Sequence, residues 1–311
     1  MQVEPNKWGI VYNPRSGLQR FARKRWKAIR EYIVSRHIPF EYNIPQDYMT
    51  AEDIARGYAN RGFKTIVAVG GDGIVSDVVN GIMKSDLEDK SSVAIGIIPN
   101  GIGNDFAGFW GLTSDYKDAI EAIISRRTRR IDVGYSSYYI SGYYRRRYFV
   151  NSMNIGLGAQ VSKITDSLKR SFAMKWVAYA CALFVILFLK KTYRTHLVIN
   201  DEHLRGRVMT VCIGNARGYG QTPSAVPYNG WLDVTVIYRP EKKLQILKGL
   251  WMSINGRLFN HKNVRIYRTK AVKVLRVKNA MTDVDGRIYK HGFPLEIGIL
   301  NEHLTIIIPN R

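Results

Sequence analysis

The sequence predicts a two-domain protein, an α/β N-terminal domain followed by a β-rich C-terminal sandwich domain. Three observations predict it. Apolar strand-like runs alternate with segments of helical period over the first ~130 residues. Beyond Arg130 short strand-like runs dominate, with turns between them. Two of the N-terminal runs stop at loops rich in glycine and amide side chains.

In chain order, residues 8–12 read as a strand ending at Asn13-Pro14-Arg15-Ser16-Gly17. Residues 21–36 have helical spacing and many basic side chains, and 51–60 form a second helix candidate. Residues 65–69 are a β-rich run that stops at Gly70-Gly71-Asp72-Gly73, after which Ile74, Val75, Val78, Val79 and Ile82 repeat at helical spacing. Residues 93–98 are apolar and stop at Pro99-Asn100-Gly101-Ile102-Gly103-Asn104-Asp105; 115–125 look helical. Alternation of this kind gives a mostly parallel sheet, whose ligands sit beyond the carboxyl ends of the strands. The loops at Asn13, Gly70 and Asn100 are placed to converge there.

The later strand candidates are 131–140, 147–155, 196–200, 208–213, 232–238, 264–267, 272–277, 295–299 and 305–308, with helical pattern only at 162–191 and 242–255. The expected domains are 1–131 and 132–302, with an apolar helix at 171–191 in the second. Within that helix, 176–189 is nearly all apolar and flanked by Lys169, Arg170, Lys175, Lys190, Lys191 and Arg194. At about 14 residues it is short of the ~20 that span a bilayer. It reads as a core helix or as one that faces a membrane or an acyl chain.

Composition excludes a disordered chain: 46% of the 311 residues are hydrophobic and 23% charged. Lys and Arg number 47 against 25 acidic residues, a formal charge of +22. Such a surface attracts polyanions. Dense basic patches lie at 20–30, 126–130 and 145–147, the last following Tyr138, Tyr139, Tyr143 and Tyr144. Arginines beside tyrosines suit nucleic acid and also a membrane interface. No RNA- or DNA-binding motif accompanies the charge, so an anionic membrane surface is the expected partner and nucleic acid is not. Cys181 and Cys212 suggest no disulfide framework, which fits a reducing cytoplasm. The first ten residues do not resemble a signal peptide. The six histidines lack metal-ligand spacing. The sequence leaves an oligomer open.

The chemistry resides in the two loops. Between a strand and a helix, Gly70, Gly71 and Gly73 let backbone N–H groups approach phosphate oxygens, and the helix N-terminus adds favourable partial charge. Asp72 offers a hard carboxylate for a nucleotide-linked Mg²⁺. Asn100, Gly101, Gly103 and Asn104 can bind phosphate, ribose or base edges. Neither a Walker-type P-loop nor a Rossmann fingerprint is present.

Together these residues resemble the diacylglycerol kinase catalytic-domain family, including bacterial lipid kinases of the YegS type. They resemble sphingosine and ceramide kinases more distantly, and NAD kinases share the GGDG loop. The resemblance rests on Gly70-Gly71-Asp72-Gly73, Val78-Val79-Asn80-Gly81-Ile82, Ile98-Pro99-Asn100-Gly101 and Gly103-Asn104-Asp105-Phe106-Ala107. It continues through Asn13-Pro14, Ser16-Gly17, Ile131-Asp132-Val133-Gly134, Asn151, Gly156-Leu157-Gly158 and Gly230-Trp231-Leu232-Asp233-Val234 to Asp285-Gly286.

The resemblance implies an active site in an interdomain cleft, with ATP and Mg²⁺ on the N-terminal side and a lipid hydroxyl entering from the other, and a C-terminal strand at about 303–311 that returns to the first domain. Asn13 and Ser16 would close the nucleotide site, Asp105 would orient the loop, and Asp285 and Arg287 would sit near the acceptor hydroxyl. Four positions depart from the family pattern. Ile74 replaces Thr, Asp77 replaces Glu, Asn229 replaces Asp, and Arg287 replaces the Glu of a D-G-E motif that carries the family's proposed general base. The implied activity is transfer of the γ-phosphate to diacylglycerol or a related lipid. A catalytically weak nucleotide- or lipid-binding pseudokinase and a soluble-substrate kinase like NAD kinase are the alternatives.

Overall fold

The computed structural model describes residues 3–4, 6–14, 19–101, 104–140, 142–160, 192–217, 222, 224–239, 261–278, 280–289 and 293–310. The helical segments expected at 171–191 and 242–255 lie outside them. The chain divides into two compact units, Met1–Val133 with Asn301–Arg311, and Gly134–Leu300.

The first elements are β1 (Trp8–Tyr12), α1 (Gln19–Ser35), β2 (Phe40–Asn43), α2 (Ala51–Asn60), β3 (Thr65–Gly70), α3 (Asp72–Met83), β4 (Ala94–Pro99), α4 (Asp105–Phe109) and α5 (Tyr116–Ser125). Then follow β5 (Thr128–Ile140), β6 (Tyr143–Phe149), β7 (Ser152–Gly156), β8 (Tyr193–Ile199), β9 (Glu202–Gly214), β10 (Leu232–Tyr238), β11 (Val264–Thr269), β12 (Ala271–Val277), β13 (Thr282–Val284), β14 (Arg287–Tyr289) and β15 (Leu295–Ile307).

In the first unit the strands run β2-β1-β3-β4, all parallel, and the end of β15 pairs in parallel with β4 through Thr305 and Ile306. Every residue of β1, β3 and β4 is buried, as expected of parallel strands covered on both faces. Side-chain parity assigns the covers. The Tyr12 ring stacks on Trp26 of α1 at 4.4 Å, whereas Gly9, of opposite parity, lies beneath the Tyr58 ring of α2. Ile10 pairs with Val67 and Val67 with Gly96, and Gly96 lies beneath Ile123 of α5. Hence α1 and α5 cover one face and α2 the other. Glu121 ties the first pair, accepting from the Tyr32 hydroxyl at 2.8 Å and from the Arg36 guanidinium at 2.8 and 3.0 Å. On the opposite face α3 packs against α2 so closely that a Cβ at Gly81 would collide with the Glu52 carbonyl. Local sequence sets the helix starts. Thr50 and Asp53 form a reciprocal capping box on α2, and Asp115 caps α5 through the Lys117 N–H at 2.8 Å.

The second unit is a sheet-built domain with the order β14-β13-β7-β9-β8-β12-β15, in which β10 pairs with β9 and β11. Its core includes Met153, Ile155, Leu197, Val211, Ile213, Val234, Val236, Val272, Val274, Leu295 and Ile297, all at most 1% exposed.

Three sequence expectations are corrected. The strand expected at 147–155 is two strands, because the chain turns at Val150–Asn151, where three successive N–H groups reach one carboxylate. The strands expected at 295–299 and 305–308 are one strand, β15. The polar stretch between them turns left-handed only at Glu302 (φ 46°), whose N–H is held by the buried Asp132 carboxylate at 2.8 Å. Residues after Asn104 form the short helix α4 rather than a plain loop.

Candidate active site

In the first unit α1 links β1 to β2, and α3 links β3 to β4, in opposite directions across the sheet. The carboxyl ends of β1 and β3 therefore form the switch point where such folds bind ligands. Three loops leave this edge, and two of them hydrogen-bond back to it. The Asn13 N–H donates to the Val69 carbonyl at 3.3 Å, and the Asn100 N–H donates to the Gly70 carbonyl at 2.8 Å. Ser16 and Gly103 lie outside the described residues.

The glycines are required by close approach. A Cβ on Gly101 would stand 2.5 Å from the Gly71 Cα and 2.8 Å from Asn104 Oδ1, and one on Gly71 would stand 3.1 Å from the Gly101 Cα. The two loops thus touch backbone to backbone. Asn104, left-handed at φ 58°, closes the second loop on itself: its Oδ1 accepts from the Gly101 N–H at 3.0 Å and its Nδ2 donates to the Gly101 carbonyl at 2.9 Å. Gly101→Ala is expected to cost about 1–3 kcal/mol of stability, since neither backbone segment can yield without breaking these bonds. Thermal unfolding tests this against Gly108→Ala, where an added Cβ meets nothing within 4 Å. Equal melting temperatures for the two variants would refute the close-packing account.

Asp72 begins α3, with Gly73 next. Its Oδ2 accepts from the Asp105 N–H at 3.0 Å and its Oδ1 from the Phe106 N–H at 2.9 Å. The carboxylate therefore ties the first glycine loop to the start of α4, where backbone donors have no helical partner of their own. Sequence alone gave no signal of this tether. Asn100, 9% exposed, has its Nδ2 donor shut off from solvent with no hydrogen-bond partner. An orphaned donor beside glycine-lined backbone fits a phosphate- or ribose-bearing ligand. Among the described residues no three His, Cys, Asp or Glu side chains group around a potential metal position. His196 Nε2 and His203 Nδ1 do lie 3.0 Å apart. A Mg²⁺ at this site fits only the pattern of one or two carboxylates completed by phosphate oxygens, and each oxygen of an ionised Asp72 offers two acceptor sites.

In the second unit Asp285 sits in the tight turn between β13 and β14, left-handed at φ 49° and followed by Gly286 at φ 79°. Its buried carboxylate accepts from three successive backbone donors: Val150 at 3.0 Å, Asn151 at 2.9 Å and Ser152 at 3.1 Å. Asn215 completes the turn by donating its Nδ2 to the Val150 carbonyl at 3.0 Å. Asn151 and Asn215 were not expected as site-building residues. Arg287, two residues beyond Asp285, is exposed at the start of β14.

Next to this turn one sheet face is polar yet buried. The registers align Asp283 with Asn154, Asn154 with Cys212, and Cys212 with Thr235 across β13, β7, β9 and β10. All four are at most 3% exposed. Asn154 Nδ2 donates to Asp283 Oδ1 at 3.2 Å, while Asn154 Oδ1 has no partner. Burial, and then the charge of Asp283, push the Cys212 thiol well above its ordinary range, so it remains protonated and unreactive.

The comparisons match this architecture. Residues 7–136 match the diacylglycerol kinase catalytic domain, and residues 151–308 match the YegS C-terminal NAD kinase beta sandwich-like domain. The chain belongs to this two-domain kinase family. Among its relatives is a diacylglycerol kinase of Staphylococcus saprophyticus, 25% identical over 305 residues that cover 97% of this chain and 95% of that one. A diacylglycerol kinase of Staphylococcus aureus is 23% identical, covering 97% and 92%. In fold the chain is similar to a diacylglycerol kinase structure from Bacillus anthracis, with TM-score 0.73, 20% identity and 98% of each chain covered. It is also similar to yeast NADH kinase complexed with NADH, with TM-score 0.54, 12% identity and 99% and 84% covered. Among the described residues no helix is long and apolar enough to cross a membrane.

Proposed function

We propose that this chain is an ATP-dependent lipid kinase that transfers the γ-phosphate to the hydroxyl of diacylglycerol or a related lipid. It works in the cytoplasm, attached peripherally to an anionic membrane. The observation that carries the reading is the pair of glycine loops beyond β3 and β4, bridged by Asp72, with the Asn100 amide donor left over for a ligand. The glycine loops at Gly70, Gly71 and Gly73 bring backbone close to the phosphates, Gly101 and Gly103 let the second loop approach them, and Asn13, Ser16, Asn100 and Asn104 border the nucleotide. Asp72 would hold the Mg²⁺ that accompanies the nucleotide, and that ion would supply charge neutralisation for the phosphates. Asp105 orients the second loop. In the second unit Asp285 acts by position, holding the 150–152 turn, and Arg287 sits near the acceptor hydroxyl at the position where the family pattern carries a base.

A second reading, a binding pseudokinase, is favoured by one observation. The turn that carries a carboxylate base in the family pattern here combines Asp285, already accepting three N–H groups, with the exposed Arg287. The experiment is ³²P transfer from γ-labelled ATP with Mg²⁺ to mixed-lipid vesicles containing diacylglycerol. Labelled lipid is the expected product, and Arg287→Glu is expected to raise its rate by about 10-fold or more, since a general base contributes about 10²–10⁴-fold. ATP binding without labelled lipid from either protein would establish the second reading. Labelling of a soluble acceptor without vesicles would point to a kinase of the NAD-kinase type.

A further inference from the structure

We propose that the β5–β6 hairpin of the second unit is a membrane-docking element whose aromatic tip seats at the interface of an anionic bilayer. The register pairs Tyr139 with Tyr144 and Ile140 with Tyr143 as the outermost rungs of the hairpin. These four side chains are 56%, 79%, 40% and 69% exposed, respectively. Hairpin tips facing water carry small or charged residues, because a bare apolar end invites association. Here four large side chains flank the small pair Ser141-Gly142.

The base of the hairpin is anchored by packing. Phe149 is fully buried, Tyr138 packs on the unit's core, and the Arg147 guanidinium lies 4.8 Å over the Tyr289 ring. The tip is therefore presented by a packed support. Directly behind it stand two exposed arginines, Arg145 and Arg146. Arg146 is oriented by a 3.0 Å bond from its Nε to Ser137 Oγ and by the Tyr135 ring at 4.5 Å. Residues 134–149 contain no acidic side chain. Tyrosine rings prefer the depth of lipid headgroups, and arginines one layer out meet the phosphates.

Single-stranded nucleic acid is the competing polyanion, and the tip fits it less well. Tyr139 and Tyr144 already pack edge to face at 5.3 Å, and the aliphatic Ile140 offers a base neither a stacking surface nor a hydrogen bond. The proposal draws on the lipid-kinase reading only for the expectation that a membrane is met at all, and its test needs no turnover.

The test is co-sedimentation of the full chain with vesicles of phosphatidylcholine alone or mixed with phosphatidylglycerol, at two salt concentrations, beside a single-stranded RNA titration. Wild type is expected to prefer the anionic vesicles, more so at low salt. The triple variant Ile140→Ser/Tyr143→Ser/Tyr144→Ser is expected to bind at least about 10-fold more weakly, and Arg145→Glu about 30-fold more weakly. Tyr48→Ser, at an 86% exposed tyrosine of the first unit, is expected to bind like wild type. Melting temperatures establish that the hairpin variants are folded. Unchanged vesicle binding by both hairpin variants would overturn the proposal. So would RNA binding tighter than vesicle binding and dependent on the same residues. Tip-dependent vesicle binding without any lipid phosphorylation would uphold the hairpin's role and count against the kinase reading alone.

Discussion

Asp72→Ala is expected to lower lipid phosphorylation by at least about 100-fold, the order of loss when one preorganised electrostatic group is removed from a transfer that depends on positioning and charge stabilisation. Two losses add. The first is the tether: the N–H groups of Asp105 and Phe106 lose the carboxylate that each contacts at 2.9–3.0 Å. Leaving such donors unpaired costs about 1–3 kcal/mol each when they are buried, less where solvent reaches them. The second is the hard anionic ligand that we propose for the nucleotide's metal. Asp72→Asn separates the two losses. An amide oxygen can keep one N–H bond, but its NH₂ faces the other donor and carries no charge. If the tether alone matters, Asn retains activity within a few-fold of wild type and shifts only the melting temperature. If the carboxylate also holds metal, Asn loses nearly as much rate as Ala while melting closer to wild type. Initial ³²P rates at saturating ATP, with melting curves for the same preparations, read both quantities. A fully active Asp72→Ala would remove Asp72 from the site.

Asp285→Ala is expected to destabilise the second unit by roughly 3–6 kcal/mol, because three buried donors lose one shared acceptor. For a domain of this size that is a fall in melting temperature of about 10–20 °C. Asp285→Asn is milder. Its Oδ1 can still accept from Asn151 and Ser152, leaving the Val150 N–H opposed to an NH₂ group. The ranking wild type, Asn, Ala in melting temperature is the signature of a clamp. A catalytic base gives a different pattern: Ala and Asn would melt within about 2 °C of wild type, far below the 10–20 °C expected of a lost clamp, yet both would lose about 10²-fold or more in rate. That pattern would restore Asp285 to direct chemistry.

Most of the first unit was legible in the sequence. The runs at 8–12, 65–69 and 93–98 are continuously apolar because parallel strands are buried on both faces, and each stops at Gly, Pro or Asn. β2 was not visible. Its sequence, Phe-Glu-Tyr-Asn, lies at the sheet edge with its side chains only partly buried, so no apolar run marks it. In the second unit alternation left the burial of one face undetermined. Ser152 and Asn154, Thr210 and Cys212, Asp233 and Thr235 alternate with apolar residues as though facing water, but all six are at most 5% exposed. Binary pattern distinguishes the apolar face of a strand from the polar one, and it carries no information about whether the polar face is covered.

Apart from β2 and α4, the sequence by itself determined the element types of the α/β half, the run of strands beyond it, and the two glycine loops, because propensity, periodicity and chain turning are local properties. It also determined the net charge of +22, which is a sum. Only the tertiary structure decided what the carboxylates touch. Asp72 reaches residues 33 and 34 positions away, and Asp285 reaches residues 133 to 135 positions away. Partners so distant are selected by the packing of strands and loops, and no spacing rule relates them. The same holds for Gly71 and Gly101, whose small size is needed because two distant loops meet at the ends of adjacent strands.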